Sequence, residues 1–356
     1  MTSKTALFSI LFFVFVSQLF SQIPQAYYNN AAGLSGDSLK DALNDIIDGH
    51  TEYYYTSSSQ DDCWDILKKA DKDPDSANNV IGVYSAFSMD GPKEYDGGKG
   101  WSREHVWAKS RGNFSTSRGI GTDLHNLRAE DVSTNSARNN RNFDNATIRY
   151  IDNSGNYSGT TDSYTSSSTD WVWEPRDEMK GDIARTIFYM TVRYEGENGE
   201  LDLELTDSLL DKSDKRALHG NAVTLYQWHL DDTVSNAERA RNDTIYKYQK
   251  NRNPFVDHPE YVDSIYGATY GPISVGLEEN VSRNELMIYP NPSKGKVYIH
   301  TEEKIQLIQV FNLKGQLVQE IDPRVWNWQL PANPGMYIVK LLTHDKHLIV
   351  RKIIRE

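Results

Sequence analysis

The first regular pattern in the chain is an apolar run from Ala6 to Phe20, broken only by Ser9, Ser17 and Gln18 and preceded by Lys4. A basic residue ahead of an apolar stretch too short to span a bilayer comfortably predicts a signal peptide over residues 1 to about 21. From Gly36 the spacing becomes helical, with Leu39, Leu43, Ile46 and Ile47 on one face and Asp37 or Ser38 placed to cap the start. Trp64, Ile66 and Leu67 predict a second short amphipathic piece. Val80 to Tyr84 reads as a strand, being β-branched and followed by the breakers of Met89-Asp-Gly-Pro92. Residues 152–170 are Ser, Thr, Gly, Asn and Asp with little apolar content, which predicts a mobile surface loop. Gly181 to Tyr194 predicts a helix packed on both sides, and Leu225 to Gln249 a further helical region that stops near Asn253-Pro254.

Beyond Tyr270-Gly-Pro272 the period falls to two. Short alternating runs at Leu286–Tyr289, Lys296–His300, Ile305–Phe311, Met336–Leu342 and His347–Ile354 are punctuated by Asn-Pro, Lys-Gly and Pro-Gly. That pattern predicts a small all-β sandwich. The organisation is therefore α+β: a largely helical domain over residues 22–275, a linker at 276–284 and a separate β-sandwich at 285–356.

Composition changes this picture in two places. A formal charge of −12 over 356 residues argues against a broadly basic nucleic-acid coat, but a local basic groove depends on where the arginines sit. The single Cys63 excludes an intramolecular disulfide and any multi-cysteine zinc site, and its neighbours mark it as a small buried hydrophobe.

The candidate chemistry is concentrated in Trp101-Ser-Arg-Glu-His-Val-Trp107, Gly121-Thr-Asp-Leu-His-Asn-Leu-Arg128 and Asn135-Ser-Ala-Arg-Asn139. A magnesium ion takes oxygen ligands and keeps several waters, so the Glu104 carboxylate and the Asn135 amide oxygen would satisfy it. A neutral imidazole at His105 could take a proton from water. Adjacent side chains on a regular strand point to opposite faces, so the backbone must leave extended geometry if Glu104 and His105 are to serve one phosphate. Arg103, Arg128, Arg138 and Arg141 flank these groups, and guanidinium groups recognise phosphate oxygens in pairs. Each residue alone is more often an ordinary surface charge or a buried hydrogen-bonded histidine. Their co-occurrence shifts the balance.

At these residues the chain resembles the endonuclease I family of secreted, non-specific nucleases. The likeness rests on Arg103-Glu-His-Val-Trp107, Asp123-Leu-His-Asn-Leu-Arg128 and Asn135-x-x-Arg138-x-Asn140, and continues through Gly181–Met190 and Asn251–Pro259. The resemblance implies a ββα-metal core holding one Mg ion, with Glu104 and Asn135 as metal ligands and His105 as general base. It implies a catalytic Arg138, holding either the scissile phosphate or the core geometry. Arg103, Arg128, Arg141 and Asn140 would contact substrate, and Asp123, His125 and Asn126 would support the site from behind. The family also uses an arginine to stabilise the transition state, for which Arg111 and Arg118 both stand open. Ala108 and Ala129 stand where the family usually has proline, and Asn139 and Lys250 where it usually has glycine. Those departures put local turn geometry in doubt.

Tyr289-Pro-Asn-Pro292, Gly295, Val310–Gly315 and Pro334–Val339, with the basic end Arg351–Arg355, are similar to the C-terminal sorting domains of the type IX secretion system. That resemblance implies export through the periplasm to the cell surface or medium, with the secretion machinery as partner. The expected activity is magnesium-dependent hydrolysis of DNA and RNA by a monomer. Two other readings stay open: a phosphodiesterase of small substrates on the same scaffold, and a non-catalytic cell-surface binding protein.

Overall fold

The computed structural model describes residues 23–166, 170–271, 286–301, 304–313, 316–344 and 348–356; the expected signal peptide and linker lie outside these. The chain divides into two units at Ile273 and Ser274.

In the first unit α1 (Gly36–Ile47) buries Leu39, Leu43 and Ile47, and its N-cap is Ser35, ahead of the expected caps Asp37 and Ser38. Helix α2 (Cys63–Ala70) is started by Asp62, whose side chain accepts from Trp64 and Asp65 N–H groups in a reciprocal capping box. Next come the short antiparallel pair β1 (Asn79–Ile81) and β2 (Ser88–Asp90), then β3 (Trp101–His105) and β4 (Leu127–Asp131), also antiparallel. Helix α3 (Val132–Arg138) leaves β4 without a loop, because Asp131 accepts from Ser133 and Thr134 N–H groups. A four-stranded sheet follows from β5 (Asn142–Phe143), β6 (Ile148–Asp152), β7 (Gly159–Thr165) and β8 (Val172–Glu174).

Helix α4 (Lys180–Arg193) is buried along nearly its whole length. After the two-residue parallel pair β9 (Glu204–Leu205) and β10 (Leu218–His219) come α5 (Ala222–Asp231), α6 (Asn236–Gln249), α7 (Pro254–Asp257) and α8 (Glu260–Tyr270). The core gathers Leu39, Trp107, Phe143, Phe188, Leu225 and Phe255 around α4. A second cluster, with Trp64, Trp101, Leu127 and Ile245, packs α2 and α6 against the β3–β4 hairpin. Cys63 belongs to it, with its thiol hydrogen on the Thr122 carbonyl at 3.7 Å and burial pushing its pKa up to about 12.

Several expectations are corrected. The strand at residues 80–84 ends at Ile81, because Tyr84 and Ser85 turn their N–H groups onto the Glu130 carboxylate. The expected loop at 152–170 contains β7, whose Thr161 and Ser163 are buried while its other residues are not: polar residues here alternate as a strand. The single helical region at 225–249 is two helices, because Ser235 accepts from the Glu238 N–H and begins a new one. Asn139 and Lys250, where the family favours glycine, do adopt positive φ, at 54° and 68°. Ala129, where the family favours proline, donates its N–H to Asp71 at 2.7 Å, a bond proline could not make.

The second unit is a sandwich of a three-stranded sheet, β11 (Met287–Tyr289), β12 (Lys296–His300) and β15 (Asn327–Gln329), and a four-stranded sheet. The latter runs β14 (Leu317–Ile321), β13 (Ile305–Asn312), β16 (Gly335–Thr343), β17 (Leu348–Arg355). One core, including Val297, Ile308, Val339 and Ile353, fills the space between them. Strands β14 and β15 were not anticipated, since Leu317 and Val318 are exposed and blur the alternation.

Candidate active site

Strand β3 pairs with β4 in the register Trp101↔Asp131 to His105↔Leu127, and α3 closes the ββα unit. A cleft of about 770 Å³ opens where the end of β3 meets α3, and Arg103, Glu104, His105, Asn135 and Asn140 all line it. Glu104 and His105 share it because the chain stops being a strand at His105. The exit is braced: Asn126 accepts from the Trp107 N–H at 2.6 Å and donates to the Trp107 carbonyl at 3.3 Å.

Both hydrogen bonds to Glu104 fall on Oε1, from the Tyr84 hydroxyl and from Arg138, each at 2.9 Å. Burial nevertheless pushes its carboxyl up to about 7. Asn135 donates its Nδ2 to Ser102 at 2.9 Å, which docks α3 on β3 and leaves the amide oxygen available. Among the described residues no group of three or more His, Cys, Asp or Glu surrounds a metal position. A cation site of one carboxylate and one amide calls for no such group, and the Glu104 Oε2 and Asn135 Oδ1 atoms are oxygen donors of the kind magnesium prefers.

His105 lies against Tyr55 with its ring stacked at 5.8 Å and meets the edge of Phe114 at 6.1 Å. Its Nε2 is 3.0 Å from the Gly121 carbonyl, which can only accept, so Nε2 carries the hydrogen and Nδ1 keeps its lone pair. Burial pushes the imidazole down to about 3, so it is neutral at ordinary pH. Arg103 lies between the rings of Tyr55 and Trp64, at 3.3 and 3.9 Å from their centroids, and also donates to the Tyr55 carbonyl and to Thr56. Among the described residues it forms no ion pair with a carboxylate. Lys109, also on the cleft, is held below its usual pKa by burial and by Arg103.

The remaining candidates are for the most part committed to other contacts. Arg138 is fully buried and donates to Glu104 and to the carbonyls of His105 at 3.0 Å and Val106 at 2.5 Å. Of its two possible roles, these contacts match core geometry, since no face of the guanidinium is open to a phosphate. Arg128, expected on substrate, turns away into a buried network. It pairs with Asp182 at 3.2 Å, beside Arg241–Asp71 at 2.6 Å and a two-bonded Arg185–Glu238 pair at 2.7 Å. Asn140 lines the cleft, but its amide is committed to Ser110, Lys212 and Trp171. Arg141 stacks on Trp171 at 3.9 Å, off the cleft lining. Asp123 accepts from Tyr189, Tyr194 and Gln249, and His125 reaches the Asn251 carbonyl at 3.3 Å, so both support the scaffold. Arg111 is buried on four backbone carbonyls, whereas Arg118 is exposed beside Tyr54. Sequence reasoning missed Tyr84, Tyr55, Trp64 and Ser102. Only the aromatic richness of residues 53–64 hinted at any of them.

The endonuclease I family model matches residues 35–260, and a secretion system C-terminal sorting domain model matches residues 287–356. The chain is 49% identical over 243 residues to an extracellular ribonuclease of Bacillus subtilis (strain 168), covering 67% of this chain and 78% of that protein. It is 47% identical over 245 residues to an extracellular ribonuclease of Bacillus amyloliquefaciens, covering 68% and 78%. Among solved structures, CopC from Methylosinus trichosporium OB3b aligns with 19% of this chain and 80% of its own, at 22% identity and a TM-score of 0.15. That value is too low to bear on the fold. The ββα cleft and the two matched models lead to one conclusion: the chain belongs to the endonuclease I family, as a secreted or cell-surface nuclease with a C-terminal sorting domain.

Proposed function

We propose that this protein is a magnesium-dependent endonuclease that hydrolyses the phosphodiester backbone of RNA and of DNA, with His105 as general base and Glu104 and Asn135 as the ligands of one ion. The observation that carries the reading is the Nε2 contact of His105 with the Gly121 carbonyl, which fixes the tautomer with a bare Nδ1 in the same cleft as Glu104 and Asn135. Magnesium, once bound there, supplies Lewis-acid polarisation of a phosphate oxygen.

The chain's own residues do the rest. Arg103 and Lys109 attract the phosphate, and the approaching negative charge raises the His105 pKa from its depressed value, which strengthens Nδ1 as an acceptor for the proton of an attacking water. Tyr84 and Arg138 keep the Glu104 carboxylate in one orientation. Because such contacts address the backbone, base preference is slight and activity falls as salt is added. RNA as a substrate is supported by the two Bacillus relatives, both extracellular ribonucleases. DNA is included because neither the proposed base nor the ligands require a 2′-hydroxyl.

The deciding experiment measures cleavage of RNA and of plasmid DNA by the purified protein, by His105→Ala and by Glu104→Ala, with and without chelator. Loss in both variants and in chelator is expected; near-normal cleavage by folded His105→Ala protein would refute the assignment of the base.

A further inference from the structure

We infer that Tyr95 is a stacking platform for an unpaired base of the substrate, which makes the nuclease favour single-stranded over duplex nucleic acid. The inference rests on the nuclease reading above and adds to it a substrate conformation.

Tyr95 lines the same cleft as Glu104, His105 and Asn135, and its side chain is left open, with the residue 57% exposed. Exposed tyrosines are common, but this one stands on the lining of the candidate active site, where an amphipathic ring can stack on a bound ligand. The backbone beneath it is unusual. Tyr95, Asp96, Gly97 and Gly98 have consecutive positive φ angles of 49°, 40°, 62° and 86°. A tyrosine in that region is sterically disfavoured, and such conformations persist only where the surroundings impose them.

Here the surroundings do so. The N–H groups of Gly98, Lys99 and Gly100 all donate to the Tyr95 carbonyl, at 2.8, 3.0 and 3.0 Å, while the Tyr95 N–H donates to the Trp101 carbonyl at 2.8 Å. The turn is thereby tied to the first residue of β3, the strand that carries Glu104 and His105. Asn156 braces it from outside, donating from its side chain to Asp96 at 3.0 Å and from its N–H to the Lys99 carbonyl at 3.0 Å. The phenol leans over Gly98, where a Cβ would stand 3.7 Å from its oxygen. The hydroxyl end of the ring is thus set close to its own turn.

A rigid ring on the rim of a phosphate-cleaving cleft suits a base face. Every base presents one, so such a contact tolerates any sequence, as backbone cleavage does. A base inside a duplex is already stacked on both sides and cannot offer it without being unstacked. The contact therefore discriminates by strandedness.

The test compares wild type with Tyr95→Ala, Tyr95→Phe and Tyr95→Trp. Steady-state cleavage of a single-stranded RNA and of a duplex of the same sequence is measured with KM and kcat separated. Tyr95→Ala is expected to raise KM for the single strand roughly tenfold, with the single-strand to duplex ratio of kcat/KM falling by a similar factor. Tyr95→Phe and Tyr95→Trp are expected to restore that ratio, which also separates stacking from misfolding of the turn. In chelator, binding of a single-stranded oligonucleotide containing 2-aminopurine reports stacking by quenching, independent of cleavage, and Tyr95→Ala is expected to lose that quenching. Equal losses on both substrates, a fall in kcat alone, or failure of Tyr95→Phe to restore the ratio would overturn the inference. Absence of cleavage by wild type would instead count against the nuclease reading, leaving the quenching result to judge Tyr95.

Discussion

The arginines around the β3–β4 hairpin are held in two different ways, as a buried network of three and as the half-buried Arg103 of the cleft. In the network of Arg128, Arg185 and Arg241, every guanidinium meets a carboxylate from Asp71, Asp182 or Glu238. In the cleft, Arg103 is covered by the rings of Tyr55 and Trp64 and by a backbone carbonyl and a hydroxyl. A carboxylate cancels the charge it pairs with, whereas an aromatic face shields the cation from water and leaves its field in place. The first region can therefore position strands but has little charge to offer a phosphate. The second keeps its charge. Arg241 shows the positioning plainly, donating to the carbonyls of Leu124 and Leu127 at the start of β4.

The largest effect that separates the regions is on catalysis. His105→Ala is expected to lower kcat/KM by about a hundredfold or more with the melting temperature little changed, Glu104→Ala to do so with a loss of stability as well because Arg138 is left without its carboxylate, and chelation to lower the activity of wild type by a similar factor. Full activity in chelator would remove the metal from the cleft.

Next in size is stability. Arg185→Met leaves Glu238 buried and unpaired, and is expected to cost about 3–5 kcal/mol in urea unfolding, while activity of the protein still folded persists. A loss below about 1 kcal/mol would show that the network is no more than a solvated surface pair.

A third prediction concerns acid. Burial pushes His125 down to about 4. The unfolded chain binds its proton near pH 6.5, so the stabilisation is complete above that pH and lost as pH falls through about 4. The span is roughly 3 kcal/mol. The difference in unfolding free energy between wild type and His125→Asn, followed from pH 7 to pH 4, isolates the histidine. It is expected to shrink toward acid, and a constant difference would rule the explanation out.

The smallest effect is the sharpest for the comparison. Arg103→Met keeps apolar bulk between Tyr55 and Trp64 while removing the charge. KM for nucleic acid is expected to rise about fivefold, and the slope of log KM against log salt to drop by about one phosphate contact. An unchanged slope would place Arg103 with the scaffold arginines.

How much of this was legible beforehand differs between the same two regions. Glu104, His105 and Asn135 could be picked out because carboxylate, imidazole and amide make chemical sense together and because they fall in the motifs that carry the family resemblance. The arginines could not be sorted. Whether Arg128 faces substrate or Asp182 depends on a residue 54 positions away, and a short motif holds no record of that pairing. Arg138 was ambiguous for a similar reason: its carbonyl partners at His105 and Val106 have no side-chain signature. Helices with strong apolar spacing, α1 and α4, were read well. The break between α5 and α6 was readable from Ser235-Asn-Ala-Glu238, a start signal hidden inside a longer apolar pattern. Strand β7 was not, because its buried positions are Thr161 and Ser163, held by hydrogen bonds from their hydroxyls to Tyr150 and Tyr84 carbonyls.

Cys63 has a consequence for life outside the cell. A lone thiol sealed beneath the hairpin, with its proton held to about pH 12, supplies almost no thiolate for oxidants or for mixed disulfides with other chains. Folding then places no demand on disulfide-forming catalysts, and the folded chain offers no accessible thiol for a cross-link. The durability that many exported proteins draw from covalent staples is carried here by packed tryptophans and interior ion pairs, which reform unaided each time the molecule folds.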